Sequence, residues 1–417
     1  MLVAYANDIS SGVLEPGRID GNIVRTLPRR AAADILAGFG AGDPDAYLRG
    51  LVPDSPEYTR LLAAKIRLER LIARGGWGPR VPGGALRPGQ SGEAVVALRD
   101  RLIAMGYLGR SAARGYDGAL QRAVQAFQVD HGLQADGVAG AATIDAINTP
   151  ASERLSQVLV ALERERWLNL PEGRGRRHVL VNLTDFSARI IDAGRITFQT
   201  RSIIGEIDAS KQTPEFSDTM EYMEINPDWT VPRGMLARSY LPQLQRNPGA
   251  LSHLRVVDSR GRVVPRSRVN FSRYSARTFP YNLRQPPGPS NALGTVKFMF
   301  PNRHAIYLHD TPQKSLFQRD RRAFSNGCVR LNQPHEFAYV LLARQTATPK
   351  EDFQRILRSG RQTRVELDEE VPVHLIYRTA FTSEDGRLHH RDDVYGRDGR
   401  LWAALQRAGV PLPAGES

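Results

Sequence analysis

The chain's only cysteine, Cys328, follows a glycine in the run Ser325-Asn326-Gly327-Cys328, and His309 precedes it by nineteen residues. A thiol needs a nearby base to become a good nucleophile, and imidazole suits that role near neutral pH. The glycine allows a substrate carbonyl to approach the backbone. The N–H groups of Gly327 and Cys328 can then donate to the oxyanion that develops during acyl transfer. These residues predict cysteine acyl-transfer chemistry, with Cys328 as the nucleophile and His309 as its base.

Residues beside this pair supply further candidates. Asp310 follows His309, but adjacent side chains on a strand point to opposite faces, so we expect its backbone carbonyl to orient the imidazole. Arg330 lies two residues beyond Cys328 and can share its face, where it either binds a substrate carboxylate or forms a salt bridge within the fold. Four more residues are candidate substrate contacts: Ser325, Asn326, Tyr307 and Trp229. Either of the two aromatic rings fits a hydrophobic core equally well.

The sequence around the pair resembles the active-site signature of the L,D-transpeptidases, the YkuD-type enzymes that cross-link the bacterial cell wall. That signature is a histidine, a short spacer and Ser/Thr-X-Gly-Cys-X-Arg. Here Asn326 occupies the position before the glycine, where many members have histidine. Residues 213–217, 226–232 and 287–294 are similar to stretches of the long, multidomain periplasmic branch of that family.

The resemblance implies a two-step reaction. Cys328 would attack the carbonyl of the third residue of a tetrapeptide stem, release the terminal D-alanine and form a thioester. The side-chain amine of a diamino acid on a neighbouring stem would then attack the thioester and give a 3→3 cross-link. The resemblance also implies acylation by carbapenems, a periplasmic location, no cofactor, and peptidoglycan stem peptides and glycan as partners, with other wall synthases as a further candidate.

Two alternatives stay open. With water as the acceptor in place of an amine, the same site would be an L,D-carboxypeptidase or endopeptidase. A degenerate catalytic domain would instead make the chain a non-catalytic peptidoglycan-binding wall protein, although an intact pair of His309 and Cys328 argues against that.

Composition limits the remaining classes of function. One cysteine excludes an internal disulfide and cysteine-rich zinc sites. The net charge of +13 is compatible with an acidic polymer, but no helix-turn-helix or zinc-finger pattern supports nucleic acid. The run 389–393, His-His-Arg-Asp-Asp, is expected to be a solvated edge and not a metal site. No apolar run approaches the roughly 18–20 residues that span a bilayer, and residues 1–12 lack a signal-peptide pattern, so we expect a mature or trimmed chain.

Periodicity and turn signals predict an α+β multidomain protein. The Phe127-Gln128 pair and the turn over 132–140 resemble the small three-helix peptidoglycan-binding module. Ser55 is a predicted helix cap with proline after it, and 151–167 is a further amphipathic helix. The predicted domains are a helical scaffold (1–80), a peptidoglycan-binding domain (86–148), a linker helix (149–177), a β-rich catalytic domain (178–345) with a capping insertion over about 232–290, and a C-terminal extension (346–417).

The shift to period two beyond residue 177 predicts the strands of the catalytic domain. A helix is expected to start at Leu331, and another to span about 401–408. The predicted strands are 178–183, 188–192, 196–200, 296–300, 305–308 and 371–378.

Overall fold

The structure is a computed structural model that describes residues 1–412. Two compact units are present. Unit 1 comprises residues 1–186, 207–217 and 374–412, and unit 2 comprises residues 187–206 and 218–373. The α+β class is confirmed, because helices dominate the first part of the chain and a large sheet forms unit 2.

The α-helices are α1 Leu2–Ser11, α2 Pro16–Ile19, α3 Ala32–Gly40, α4 Pro44–Leu51, α5 Pro56–Ile72, α6 Glu93–Ala104, α7 Gly118–Asp130, α8 Ala141–Asn148, α9 Ala151–Trp167, α10 Arg233–Met235, α11 Leu241–Arg246, α12 Pro334–Leu342, α13 Pro349–Arg358 and α14 Arg397–Arg407. A π-helical turn spans Leu236–Tyr240, and 3₁₀ turns span Arg266–Arg268, Phe271–Arg273 and Lys314–Gln318. Within residues 1–412, no helix is both long and apolar enough to cross a membrane.

The strands are β1 Arg177–Asn182, β2 Ser187–Asp192, β3 Arg195–Gly205, β4 Phe216–Ile225, β5 Trp229–Thr230, β6 Arg255–Val257, β7 Asn282–Gln285, β8 Val296–Met299, β9 Leu308–His309, β10 Ala323–Ser325, β11 Val329–Leu331, β12 Thr363–Ile376, β13 Ala380–Thr382 and β14 Leu388–His390.

The long helices of unit 1 form for the reasons that the sequence predicts. Ser55 caps α5 by accepting a hydrogen bond from the Tyr58 N–H at 3.1 Å, and proline occupies the first helical turn. Apolar residues recur every three or four positions, so one face of α5 packs against one face of α9. The buried residues at this contact include Leu61, Leu68, Ile72, Leu155, Val158 and Leu162.

Helices α6, α7 and α8 enclose a separate core in which Phe127 is fully buried. The next residue, Gln128, joins the helix to the glycine turn. Its amide donates to Asp136 Oδ1 and Val138 O at 2.9 Å, and its Oε1 accepts from the Gly137 N–H at 2.9 Å. Gly137 has a φ of +72°, which glycine adopts readily. The sequence motif therefore has a structural role in holding this turn on α7.

The sheet of unit 2 has the strand order β10-β3-β11-β9-β8-β4-β12, and β2 pairs with β3. The central pair β9 and β11 is parallel, with Val329 opposite Leu308 and Arg330 opposite His309. Strand β8 lies antiparallel on the other side of β9 and places Lys297 opposite His309. His309, Arg330 and Lys297 therefore lie side by side on neighbouring central strands.

The insertion over about 232–290 is a folded element with its own core. Strands β5, β7 and β6 form a small antiparallel sheet, and α11 packs beside it. Buried residues of this core include Leu241, Leu244, Val256, Phe271, Phe279 and Leu283.

Three predicted boundaries differ from the structure. The predicted strand over 305–308 is mostly a loop, because Ala305 has a φ of +53° and Asn302 hydrogen-bonds four backbone groups around it. Leu331 ends strand β11, and the helix begins only at Pro334. The last long strand starts at Thr363, so the sheet continues beyond residue 345, where the catalytic domain was predicted to end.

Candidate active site

The register of β9 and β11 brings Cys328 and His309 to one edge of the sheet. The Val329 N–H donates to Tyr307 O at 3.1 Å, which sets Cys328 beside Tyr307 just before the two strands begin. Because alternate residues of a strand share a face, Cys328 and Arg330 face the same side, and His309 is the residue paired with Arg330.

The turn before Cys328 is braced by Ser325. This side chain is 1% exposed, and its hydroxyl donates to Cys328 O at 2.5 Å and accepts from the Gly327 N–H at 3.1 Å. Gly327 has a φ of +123°, a conformation that favours glycine. Two predictions are therefore corrected. Ser325 is a buried support and not a substrate contact, and the Gly327 N–H already has an acceptor and does not point at an oxyanion.

The Cys328 N–H is the remaining oxyanion candidate. It makes no hydrogen bond to another group in the part of the chain that the structure describes. A backbone N–H next to the nucleophile is well placed to stabilise charge on a carbonyl under attack.

The Cys328 sulfur is held between two groups that precede β9. Its thiol donates to Ala305 O at 3.5 Å, and the Tyr307 hydroxyl hydrogen-bonds the sulfur. Burial raises the pKa of the thiol to about 11, although hydrogen bonds from the Tyr307 backbone and side chain and the charges of Arg330 and Lys297 act in the opposite direction. Tyr307 therefore contacts the candidate nucleophile directly, a closer role than the substrate contact predicted for it.

His309 is 4% exposed, and its Nδ1 is hydrogen-bonded to Asp310 O, the carbonyl predicted to orient it. Burial lowers the pKa of the imidazole to about 3, and the Arg330 charge adds to this effect. A neutral ring that donates through Nδ1 keeps Nε2 free to accept a proton. The two pKa shifts favour a neutral thiol and a neutral imidazole at rest, whereas the sequence led us to expect that His309 raises the thiolate fraction.

The Asp310 carboxylate is fixed by a network that sequence reasoning missed. It accepts from Thr295 N and Oγ1 at 2.9 and 2.8 Å, from Thr311 N at 2.7 Å and from Lys314 Nζ at 2.6 Å. Burial would raise the pKa of this carboxyl, but the Lys314 charge and these donors hold it below its ordinary value. The network immobilises the residue whose carbonyl holds His309.

Two neighbours extend this network. The Thr295 hydroxyl also lies 2.7 Å from His335 Nε2, and because that hydroxyl donates to Asp310 its oxygen accepts from the histidine. Gly294 has a φ of +61°, and a Cβ there would lie 2.3 Å from the Asp310 carboxylate. The sequence signal that could have indicated this network is the Gly294-Thr295 pair, which lies at the end of a stretch similar to the L,D-transpeptidases.

Arg330 has no carboxylate partner within 4 Å among residues 1–412. Its Nη1 donates to Gln313 Oε1 at 2.6 Å, and its buried Nε makes no hydrogen bond. Of the two roles that the sequence left open, the internal salt bridge is absent from the described part of the chain. The guanidinium is therefore available to an anionic ligand.

The remaining predicted contacts fall in different environments. Trp229 is 7% exposed, packs in the core of the insertion and contacts Tyr240 edge to face at 6.2 Å, which favours the core role of the two that the sequence left open. Asn326 is exposed on the turn before the nucleophile. Lys297 was not predicted, yet it lies opposite His309 and 5.9 Å from the centre of the Tyr307 ring.

The run over 389–393 is not the solvated edge that we expected. His390 lies in β14, is 5% exposed and stacks against His131 at 5.5 Å. His389 Nδ1 lies 3.4 Å from Asp130 Oδ1. Among the residues that the structure describes, no group of three His, Cys, Asp or Glu side chains could hold a metal ion.

This arrangement has the parts that acyl transfer by a cysteine requires. It combines a thiol, an imidazole with one free nitrogen, a backbone donor beside the sulfur and an unpaired guanidinium on the same side.

Comparison with protein families identifies three regions of the chain. Residues 176–350 match the YkuD L,D-transpeptidase catalytic domain, residues 91–147 match a putative peptidoglycan binding domain, and residues 1–64 match a scaffold domain. The first two agree with the resemblances that the sequence suggested.

Individual proteins are similar over parts of the chain. A putative L,D-transpeptidase of Haemophilus influenzae is 31% identical over 259 residues, which cover 61% of this chain and 51% of that protein. A zinc D-Ala-D-Ala carboxypeptidase of Streptomyces albus G is 47% identical over 68 residues, or 15% of this chain and 26% of that protein. The chain thus spans about half or less of the length of these relatives.

Among solved structures, the L,D-transpeptidase (residues 123–326) of Xylanimonas cellulosilytica DSM 15894 is similar with 17% identity and a TM-score of 0.22. The match covers 72% of this chain and 98% of that one.

Proposed function

We propose that this protein forms 3→3 cross-links in peptidoglycan, because residues 176–350 match the YkuD L,D-transpeptidase catalytic domain and residues 91–147 match a putative peptidoglycan binding domain. The donor is a tetrapeptide stem, and the acceptor is the side-chain amine of a diamino acid on a neighbouring stem. The observation that carries the proposal is the shared face of Cys328, His309 and the unpaired Arg330.

In the first half-reaction, the Cys328 sulfur attacks the carbonyl carbon of the third stem residue. His309 Nε2 takes the thiol proton during the attack, so no resting thiolate is required. The Cys328 N–H donates to the oxyanion, a kind of interaction worth about 3 kcal/mol in the transition state. When the peptide bond breaks, His309 returns the proton to the departing amine of D-alanine, and the thioester remains.

In the second half-reaction, the acceptor amine attacks the thioester carbonyl. His309 removes a proton from the attacking amine and returns it to the sulfur as the C–S bond breaks. The products are a new amide bond between two stems and a free thiol. The Asp310 carbonyl keeps the imidazole in the tautomer that both steps need.

Arg330 is proposed to bind a carboxylate of the donor stem. A guanidinium that donates to an amide oxygen and has no carboxylate partner among residues 1–412 retains donors for a bidentate contact with a carboxylate. This contact would fix the scissile carbonyl next to the sulfur.

The other elements are assigned roles that follow from the same reaction. The insertion over about 232–290 would cover the stem peptide, because a folded insertion with its own core can act as a lid. Residues 91–147 would hold the wall polymer, which implies an extracytoplasmic location. Carbapenems would acylate Cys328, and other wall synthases are candidate partners.

The decisive experiment incubates the purified protein with a disaccharide-tetrapeptide and analyses the products by mass spectrometry. We expect a cross-linked dimer together with free D-alanine, and no dimer with the Cys328→Ala variant. Monomer shortened by D-alanine without any dimer would replace the transferase with a carboxypeptidase. Equal dimer formation by Cys328→Ala would reject the nucleophile.

A second measurement tests the same sulfur. Incubation with a carbapenem is expected to give a covalent adduct on the peptide that contains Cys328, and none in the alanine variant. An adduct on another peptide would contradict the assignment.

A further inference from the structure

Unit 1 contains a cavity of about 710 Å³ whose walls come from several elements. It lies among helices α5, α6, α7 and α9 and the hairpin of β13 and β14, and so includes residues on both sides of the 91–147 match. Its apolar wall contains Leu68, Leu71, Trp77, Met105, Tyr107 and Leu388. This volume falls within the range of about 300–1,000 Å³ that small-ligand sites occupy.

The cavity wall contains a buried cation that forms no close ion pair with any residue of the described range 1–412. Arg154 is 7% exposed, and its guanidinium donates to Ala146 O at 3.0 Å and Gln157 Oε1 at 3.2 Å. No carboxylate lies within 4 Å of it in the described part of the chain. Burial lowers the pKa of Arg154 to about 10, although the more distant charges of Glu153 and Asp392 act in the opposite direction, so the group stays charged at neutral pH. Buried charges are ordinarily paired, because an isolated one is costly.

A second polar group of the wall is also unsatisfied. His390 is 5% exposed, and its buried Nδ1 makes no hydrogen bond within residues 1–412. The neighbouring His131 stacks on it, and burial lowers the pKa of both rings, so they are neutral. The His390 ring can therefore donate to or accept from a ligand without adding charge.

The rim of the cavity adds to the positive character. Arg67 is exposed on α5 and has no carboxylate within 4 Å in the described ranges. Arg387 is partly balanced, because it lies 3.7 Å from Asp130 and 4.0 Å from Asp385. The cavity thus combines an apolar wall with two guanidinium groups that have no carboxylate within 4 Å among residues 1–412.

We propose that this cavity binds a small peptide through a free carboxylate, with Arg154 as the anion-binding group and Trp77, Leu71 and Tyr107 around the apolar part. This rests on the proposed function, since stem peptides of the wall carry carboxylates beside small alkyl side chains. The ligand would thus be held by α5 and the C-terminal hairpin as well as by residues of the 91–147 region.

The test uses the full chain with Cys328→Ala, which cannot form a thioester, and the free stem tetrapeptide without sugar. Calorimetry measures affinity, and hydrogen exchange locates binding. We expect protection of residues 104–107 and 385–390. The Arg154→Gln variant should weaken that site by about tenfold or more, as loss of a charged hydrogen bond does.

A matched pair of surface variants keeps the test valid if Arg154→Gln does not fold. Arg67→Gln and Arg70→Gln make the same charge change on exposed residues of α5, but only Arg67 lines the cavity. We expect weaker binding with Arg67→Gln alone, and weaker binding of a peptide whose carboxylates are amides.

The outcomes separate this proposal from the enzyme assignment. Absent protection at 104–107 and 385–390 in a protein whose parent still makes dimer would overturn the cavity proposal alone. Equal binding by Arg67→Gln and Arg70→Gln, or by the amidated peptide, would also overturn it. Protection at these residues in a protein whose parent makes no dimer would instead count against the transpeptidase.

Discussion

Buried arginines occur in two contrasting settings in this molecule. In unit 1, Arg164 and Arg397 are almost fully buried, and both pair with Glu215, at 3.2 and 3.1 Å. Arg164 also pairs with Asp398. In the candidate active site, by contrast, Arg330 donates to the Gln313 amide oxygen and has no carboxylate within 4 Å among residues 1–412.

The difference separates a structural charge from a functional one. A buried guanidinium surrounded by carboxylates is satisfied, and removal of a partner damages the fold. A partly buried guanidinium without a carboxylate has donors left for a ligand. The same reasoning distinguishes Arg154 in the cavity from Arg164 ten residues later on the same helix.

The largest expected effect on stability comes from removing the carboxylate that pairs with the buried arginines of unit 1. Glu215→Gln leaves Arg164 with one carboxylate and Arg397 without its close one, and should lower the free energy of unfolding by about 3–5 kcal/mol. Urea denaturation measures it. The control is Glu366→Gln, whose partner Arg364 is exposed, and which should cost less than about 1 kcal/mol. Equal costs for the two variants would mean that burial does not distinguish these ion pairs.

Substitution of Arg330 should change the activity of the protein and not its stability. Arg330→Gln should lower kcat/KM for the tetrapeptide donor by about 10–100-fold, the effect of losing a charged contact to substrate. Most of the change should lie in KM, and the urea midpoint should stay unchanged. Arg195→Gln, an exposed arginine on β3, is the control of equal charge change. A large loss of stability with Arg330→Gln would show a structural role instead.

A smaller effect is expected from the network that holds Asp310. Thr295→Val removes the hydroxyl that donates to the Asp310 carboxylate and should lower kcat by about tenfold with little change in KM. Thr295→Ser retains the hydroxyl and should restore most of the rate. If serine does not restore the rate, the side-chain shape matters and not the hydrogen bond.

The pH dependence of Cys328 alkylation tests whether the thiol and the His309 imidazole are both neutral at rest. Because the pKa of the thiol is raised to about 11 and that of His309 is lowered to about 3, the thiolate fraction should rise steadily with pH up to about 11. An imidazolium–thiolate pair would instead give a plateau from acidic to neutral pH. Iodoacetamide alkylation followed by mass spectrometry distinguishes the two.

The Tyr307→Phe variant refines that measurement. It removes the hydroxyl that hydrogen-bonds the sulfur and favours the thiolate, so the midpoint of alkylation should move to higher pH. An unchanged midpoint would mean that the Tyr307 hydroxyl does not stabilise the thiolate.

Local patterns were sufficient to predict much of the helical part and the centre of the site. The Ser55 cap, the 151–167 helix and the buried Phe127 follow from spacing along one element. The hydrogen bond from His309 to the Asp310 carbonyl was predictable because the two residues are adjacent.

Other features depend on contacts between distant residues. The sequence predicted that Ser325 contacts the substrate, but its hydroxyl hydrogen-bonds backbone groups of its own turn. His390 looked exposed because its neighbours in sequence are polar, yet β14 turns it toward His131. Thr295, 15 residues before Asp310 in sequence, donates to the Asp310 carboxylate, and His335, 25 residues after Asp310, contacts the Thr295 hydroxyl.

The sequence by itself determined which groups are available for chemistry: one thiol, a histidine a short distance before it, and a glycine that permits the turn between them. Only the tertiary structure decided their protonation and which charges stay unpaired. The pKa of a side chain and the ion-pair partner of an arginine depend on burial and on residues that are distant in sequence. Residue spacing along the chain therefore does not predict either of them. The sheet register that pairs Arg330 with His309 places the arginine and the histidine next to each other.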